Sequence, residues 1–152
     1  MERFALVICR AARRKASRAH SAHITHDEVG QRKEFIMPKT SHELAIELAV
    51  EITALCSKVK SRPEYTKQII RSASSISANI SEAKYAESNA DFVHKLEIAQ
   101  KEASETENWL NLLYRCGIID ERTFKNMRNK CGKIRRMLIA SITTVKNKTT
   151  QK

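Results

Sequence analysis

The chain has 152 residues with 28 Lys and Arg against 17 Asp and Glu, a net charge of +11, and only three glycines and two prolines. So few turn formers exclude a hairpin-rich β fold and leave little to interrupt helices, so one all-α domain plus a tail is expected. The excess charge favours polyanionic partners, namely nucleic acid, an anionic membrane surface or an acidic protein. Nothing approaches the roughly 20 apolar residues of a membrane span.

Residues 1–36 hold eight basic and four acidic residues and three histidines, without sustained helical periodicity, and are read as a disordered basic leader. The apolar stretch from Met1 to Cys9 precedes the cluster Arg10, Arg13, Arg14, Lys15 and Arg18. That order is the reverse of a signal peptide. Met37-Pro38 offers Met37 as a translation start, with the leader upstream of it. His20, His23 and His26 would suit a divalent metal only if the leader were helical; a disordered histidine-bearing tail is the simpler reading.

From residue 37 to about 148 the pattern predicts four helices, followed by a short tail at 149–152. The first starts at Thr40, with Glu43 completing a capping box, and runs to about Lys60 with Leu44, Leu48, Ile52, Leu55 and Val59 inward. Ser61 with Glu64 repeats the capping-box spacing, and Pro63 suits a first turn, so the second helix spans about Pro63 to Ala86. Ile69, Ala73, Ile76, Ile80 and Ala83 form its core face. Beside them Ser72, Ser74, Ser75, Ser77 and Ser81 make a small-residue face open to tight packing in the bundle, to another subunit, or to solvent.

Ser88 caps the third helix, whose seam Phe92, Leu96, Ala99, Ala103, Thr106, Leu110 and Leu113 recurs at spacings of four and three and ends at the terminator Gly117. Asp120 caps the fourth, which carries Phe124, Met127, Cys131, Ile134, Leu138, Ile142 and Val145 inward. Short connections between long helices imply an antiparallel up-down-up-down four-helix bundle. Cys9, Cys56, Cys116 and Cys131 form no CxxC pair and read as small buried thiols of a reduced, cytoplasmic protein.

Ten basic residues and one acid lie in 121–152, placing +9 of the net +11 on the last helix and tail. At 100° per residue, Arg122, Lys125, Lys133 and Arg136 cluster opposite the apolar stripe, with Asn129 among them and Arg128 beside them. This stripe of roughly 20 Å suits several phosphates and gives affinity without base sequence. No aromatic residues alternate with it, which gives no indication of stacking on single strands and favours backbone or shape recognition. Residues 89–120 carry six acids and three bases, so the third helix is mildly acidic.

The carboxylates Glu82 with Glu87 and Glu102 with Glu105 sit on helix flanks rather than in environments suited to acid–base work. Ser74 and Ser75 have no neighbouring histidine or glycine elbow, and His42 and His94 each stand alone. No enzyme activity, cofactor or metal is expected.

The run from Ile69 to Ala83, then Phe92 to Ala99 and Glu105 to Ile118, resembles the four-helix bundle family of proteins encoded within intervening sequences of bacterial 23S ribosomal RNA genes. The resemblance spans about Thr40 to Val145, and its most specific part is Ser75, Ile76, Asn79, Ile80 and Glu82. Where the family commonly has glycine after that glutamate, this chain has Ala83. The resemblance implies a homo-oligomer, a pentameric barrel of bundles, and a relation to the accessory variability determinant of diversity-generating retroelements, a basic pentamer that works with a reverse transcriptase and binds nucleic acid. Ser75, Asn79 and Glu82 then read as structural or oligomer contacts, Asn79 and Glu82 bonding each other or a neighbouring subunit. Two roles follow: a nucleic-acid-binding adaptor using Arg122, Lys125, Arg128, Lys133 and Arg136, or a scaffold docking an acidic partner such as a reverse transcriptase.

Overall fold

The computed structural model describes residues 39–150. The leader, its histidine string, Cys9, the Met37 start and the last two residues lie outside this span. The described chain is helical throughout its elements: α1 (Ser41–Cys56), α2 (Pro63–Ala83), α3 (Asn89–Arg115) and α4 (Glu121–Thr150). Each helix packs on the next in sequence, and α1 closes the bundle against α4. The short connections make successive helices antiparallel.

Local chemistry fixes most helix ends. Thr40 Oγ1 accepts from the Glu43 amide at 3.2 Å while the Thr40 amide donates to Glu43 Oε2 at 2.7 Å, so the capping box forms as expected. Ser88 and Asp120 accept from the amides of Asp91 and Thr123, at 3.1 and 2.6 Å. Gly117 takes φ +69°; its amide donates to the Tyr114 carbonyl and that of Ile118 to the Leu113 carbonyl, a Schellman ending that a β-carbon at 117 would strain.

Four expectations are corrected. α1 ends at Cys56 rather than near Lys60, since residues 58 and 59 turn through i→i−3 bonds to the Leu55 and Cys56 carbonyls ahead of Pro63. Helix α2 stops at Ala83, and residues 84–86 continue in the same tightened fashion. Ser61 does not cap α2: with Pro63 at the first turn, Arg62 occupies the cap position and offers no side-chain bond. Cys56 and Cys131 are buried as expected, but Cys116, at the C-cap of α3, is exposed.

The core is one apolar cluster drawn from all four helices, with Leu48, Ile52, Ile69, Ile76, Leu110, Leu113, Ile134 and Leu138 its largest fully buried side chains. The α3 seam lies in it, with Val93 buried and Phe92 packed at its margin. Ala83 is buried at the end of α2.

Two hydroxyls share this interior. Ser72 Oγ of α2 and Thr106 Oγ1 of α3 lie 2.9 Å apart, and each also reaches a carbonyl of its own helix, Ile69 at 3.2 Å and Glu102 at 2.9 Å. The single Thr106 hydrogen has Ser72 Oγ and the Glu102 carbonyl as alternative acceptors while Ser72 donates to the Ile69 carbonyl, so neither hydroxyl is stranded without a partner. A double-mutant cycle over Ser72→Ala and Thr106→Val, read by urea denaturation, is expected to return a coupling of about 1 kcal/mol. Zero coupling would mean that each hydroxyl is served by its own helix alone.

Candidate nucleic-acid interface

The cations of α4 divide according to what faces them. On one flank, Arg128 Nε and Arg135 Nη1 each donate to Glu107 of α3 at 3.0 Å, and Lys146 reaches Glu97 of α3 at 2.8 Å. On the other flank, Lys130 donates to Glu47 of α1 at 3.0 Å and also to Glu51. These four residues tie α4 to its neighbours along both margins of the apolar stripe. Burial by itself would depress the Lys130 ammonium, but the bonds to Glu51 and Glu47 outweigh it and raise the lysine.

Glu47 also accepts from Lys39, and the two ammonium donors, Lys39 first, pull its carboxyl from 4.5 to about 2. A carboxyl depressed on folding adds stability above its unfolded value that is lost as pH falls through the folded one. Thermal melts are therefore expected to show stability dropping as pH falls from about 4.5 toward 2, with Glu47→Gln flattening part of that slope. An unchanged slope in the variant would show that these bonds do not act in solution.

Opposite the apolar stripe, Arg122, Lys125, Lys133 and Arg136 are all exposed, with Asn129 exposed among them. Lys125 pairs with Glu121 of its own helix at 2.7 Å; the Asp120 carboxyl, lowered chiefly by its hydrogen bonds with Thr123, also feels the Arg122 charge, and Lys133 and Arg136 form no ion pair among the described residues. Arg128 stands at the edge of this arc, its side chain 57% exposed despite its bond to Glu107, with its guanidinium 5.9 Å from the Phe124 ring.

The motif residues of α2 lie elsewhere. Asn79 Nδ2 donates to the Ser75 carbonyl at 2.8 Å, one turn back, and Glu82 accepts from Lys95 of α3 at 2.7 Å. Asn79 and Glu82 therefore do not bond each other: the amide is engaged by its own helix and the carboxylate by the next. Alongside runs a shallow apolar depression between α1 and α2, lined by Ile46, Val50 and Ala54 on one side and Ser74 and Ser77 on the other. Ser74 and Ser77 turn their hydroxyls onto the Ile70 and Ser74 carbonyls, which leaves that wall less polar than its composition suggests. Val50 is 62% exposed there and Ile46 45%.

Among the described residues no three His, Cys, Asp or Glu side chains gather as metal ligands, and no helix is long and apolar enough to cross a membrane. Burial raises the Cys131 thiol to about 12, which makes it unreactive near neutral pH.

The bundle is similar to a crystal structure described as a protein of unknown function from the S23 ribosomal protein family of Bacteroides thetaiotaomicron. The two are 40% identical over 68% of this chain and 95% of that one, with a TM-score of 0.65. No curated protein matches the chain. The sequence pattern of one family covers residues 34–140, all of α1 to α3 and most of α4. The chain belongs to the 23S rRNA-intervening sequence protein family.

Proposed function

We propose that this protein is a non-enzymatic, self-associating adaptor that binds nucleic acid through phosphate contacts from α4. The observation that carries the reading is the division of the α4 cations. Arg128, Lys130, Arg135 and Lys146 meet carboxylates of other helices, whereas Arg122, Lys133 and Arg136 are exposed and form no ion pair with another helix among the described residues. A helix that needed cations only to lock the bundle would have no use for the second set. Lys125 and Arg128 extend the outer set, since exposed pairs contribute little and exchange readily for phosphate.

Self-association is the role we give the α1–α2 depression, where Val50 and Ile46 leave apolar surface uncovered beside small side chains that permit close approach. Copies held together would add the affinities of several arcs. Ser75, Asn79 and Glu82 then shape α2 rather than touch nucleic acid.

The test is fluorescence anisotropy of labelled RNA and DNA at low ionic strength: binding of either supports the reading, and binding of neither overturns it. Affinity purification that returns an acidic protein partner in place of nucleic acid would favour the scaffold role instead. Light scattering tests assembly, with Val50→Glu expected to reduce an oligomer to monomers by placing a charge in the apolar contact. A wild-type monomer would contradict the assembly.

A further inference from the structure

One aromatic feature adjoins the arc. Tyr114, in the last turn of α3, stacks on Phe124, in the first turn of α4, with ring centroids 4.8 Å apart and planes within 4°. Phe124 is half-buried and packs against the core, so it closes this end of the bundle. Tyr114 is different: with one face covered by Phe124, it is still 37% exposed.

The surroundings are mainly cationic and adjoin the arc, with Glu121 between Arg128 and Lys125. Arg128 lies over the Phe124 ring, and the Lys125 ammonium, held by Glu121, also feels the Tyr114 phenol. Around the α4 axis, at 100° per residue, the order runs Phe124, Arg128, Lys125, then the outer arc. An aromatic face bordered by backbone-binding cations is the arrangement that holds unpaired nucleotides, because every base has a π face and every linkage a phosphate.

We infer that the outer face of Tyr114 is a stacking platform for an unpaired nucleobase, with the adjoining phosphates held by Lys125 and Arg128. This rests on the nucleic-acid reading above and sharpens it: the ligand has a single-stranded segment or an unpaired end, which the bundle places at the α3–α4 corner while the rest of the backbone follows α4. The pattern along α4 alone gave no such indication, because the ring comes from a different helix.

The probe is a short single-stranded RNA bearing 2-aminopurine, whose fluorescence is quenched on stacking, compared with the same strand annealed to its complement. Wild type and Tyr114→Phe are expected to quench the single strand and bind it equally. Tyr114→Leu, which keeps apolar bulk, should lose the quenching and about tenfold in single-strand affinity, with duplex binding unchanged. Unaltered quenching in Tyr114→Leu would overturn the platform, and so would equal losses for strand and duplex, which would mark Tyr114 as a support for α4. In both cases persistent, salt-sensitive duplex binding would leave the arc standing; no binding of either RNA by wild type would remove arc and platform together.

Discussion

Replacing Lys133 and Arg136 together by glutamate is expected to weaken nucleic-acid binding by about two to three orders of magnitude at low salt, with little change in melting temperature. Both side chains are exposed and pair with no carboxylate among the described residues, so the fold has little to lose. Each exposed contact contributes up to about 1 kcal/mol, and reversal adds a repulsion of similar size, so two positions amount to about 4 kcal/mol. If several copies bind one strand, the loss multiplies. The informative control is Lys130→Gln: that ammonium is engaged by Glu47 and Glu51, so its removal should loosen α1 against α4 and leave affinity within about threefold. Equal losses from the two variants would mean that overall charge, not the arc, governs binding.

Leu110→Ala is expected to cost about 2–5 kcal/mol of folding free energy and to lower the melting temperature by about 10–20 °C. Leu110 has no exposed surface and sits on α3, the helix that packs on both α2 and α4. The bundle cannot collapse onto the void without shifting both neighbours, so the cavity adds to the lost transfer energy. That is a large part of the roughly 5–15 kcal/mol available to a domain. Val50→Ala, on the exposed wall of the α1–α2 depression, should cost less than about 0.5 kcal/mol in the monomer. If copies associate through that wall, its cost will instead grow with protein concentration. A Leu110→Ala variant as stable as wild type would mean that the α3 seam does not form the centre of the core.

What could be read from the sequence was whatever depends on neighbours along the chain. Thr40 with Glu43, Ser88, Asp120 and Gly117 act within one or two turns, and each marks the helix end its chemistry implies. The α3 seam was equally legible, because a period of seven forces one face inward whatever packs against it. Ser61 misled because two start signals compete within three residues, and the fixed φ of Pro63 settles where the helix begins.

The candidate site was legible only in outline. Helical spacing separates the outer cations of α4 from its apolar stripe, but it does not show that Glu107 engages both Arg128 and Arg135, or that Glu47 and Glu51 converge on Lys130. Those pairings depend on the register between helices distant in sequence. Tyr114 and Phe124 escaped notice for the same reason: each belongs to a different helix's pattern, and only the turn at Gly117 stacks one on the other. Asn79 and Glu82, one turn apart, looked like partners, yet the Ser75 carbonyl and Lys95 are better placed for them.

The most direct measurement is the affinity of wild-type protein for one labelled RNA at several salt concentrations between about 50 and 200 mM. Three to five phosphates neutralised by Arg122, Lys125, Arg128, Lys133 and Arg136 predict a log–log slope of about −2 to −4.5 per protomer, shallower for a single strand than for a duplex. A slope near zero, or no binding at the lowest salt, would contradict the claim that α4 turns a phosphate-binding surface to solvent.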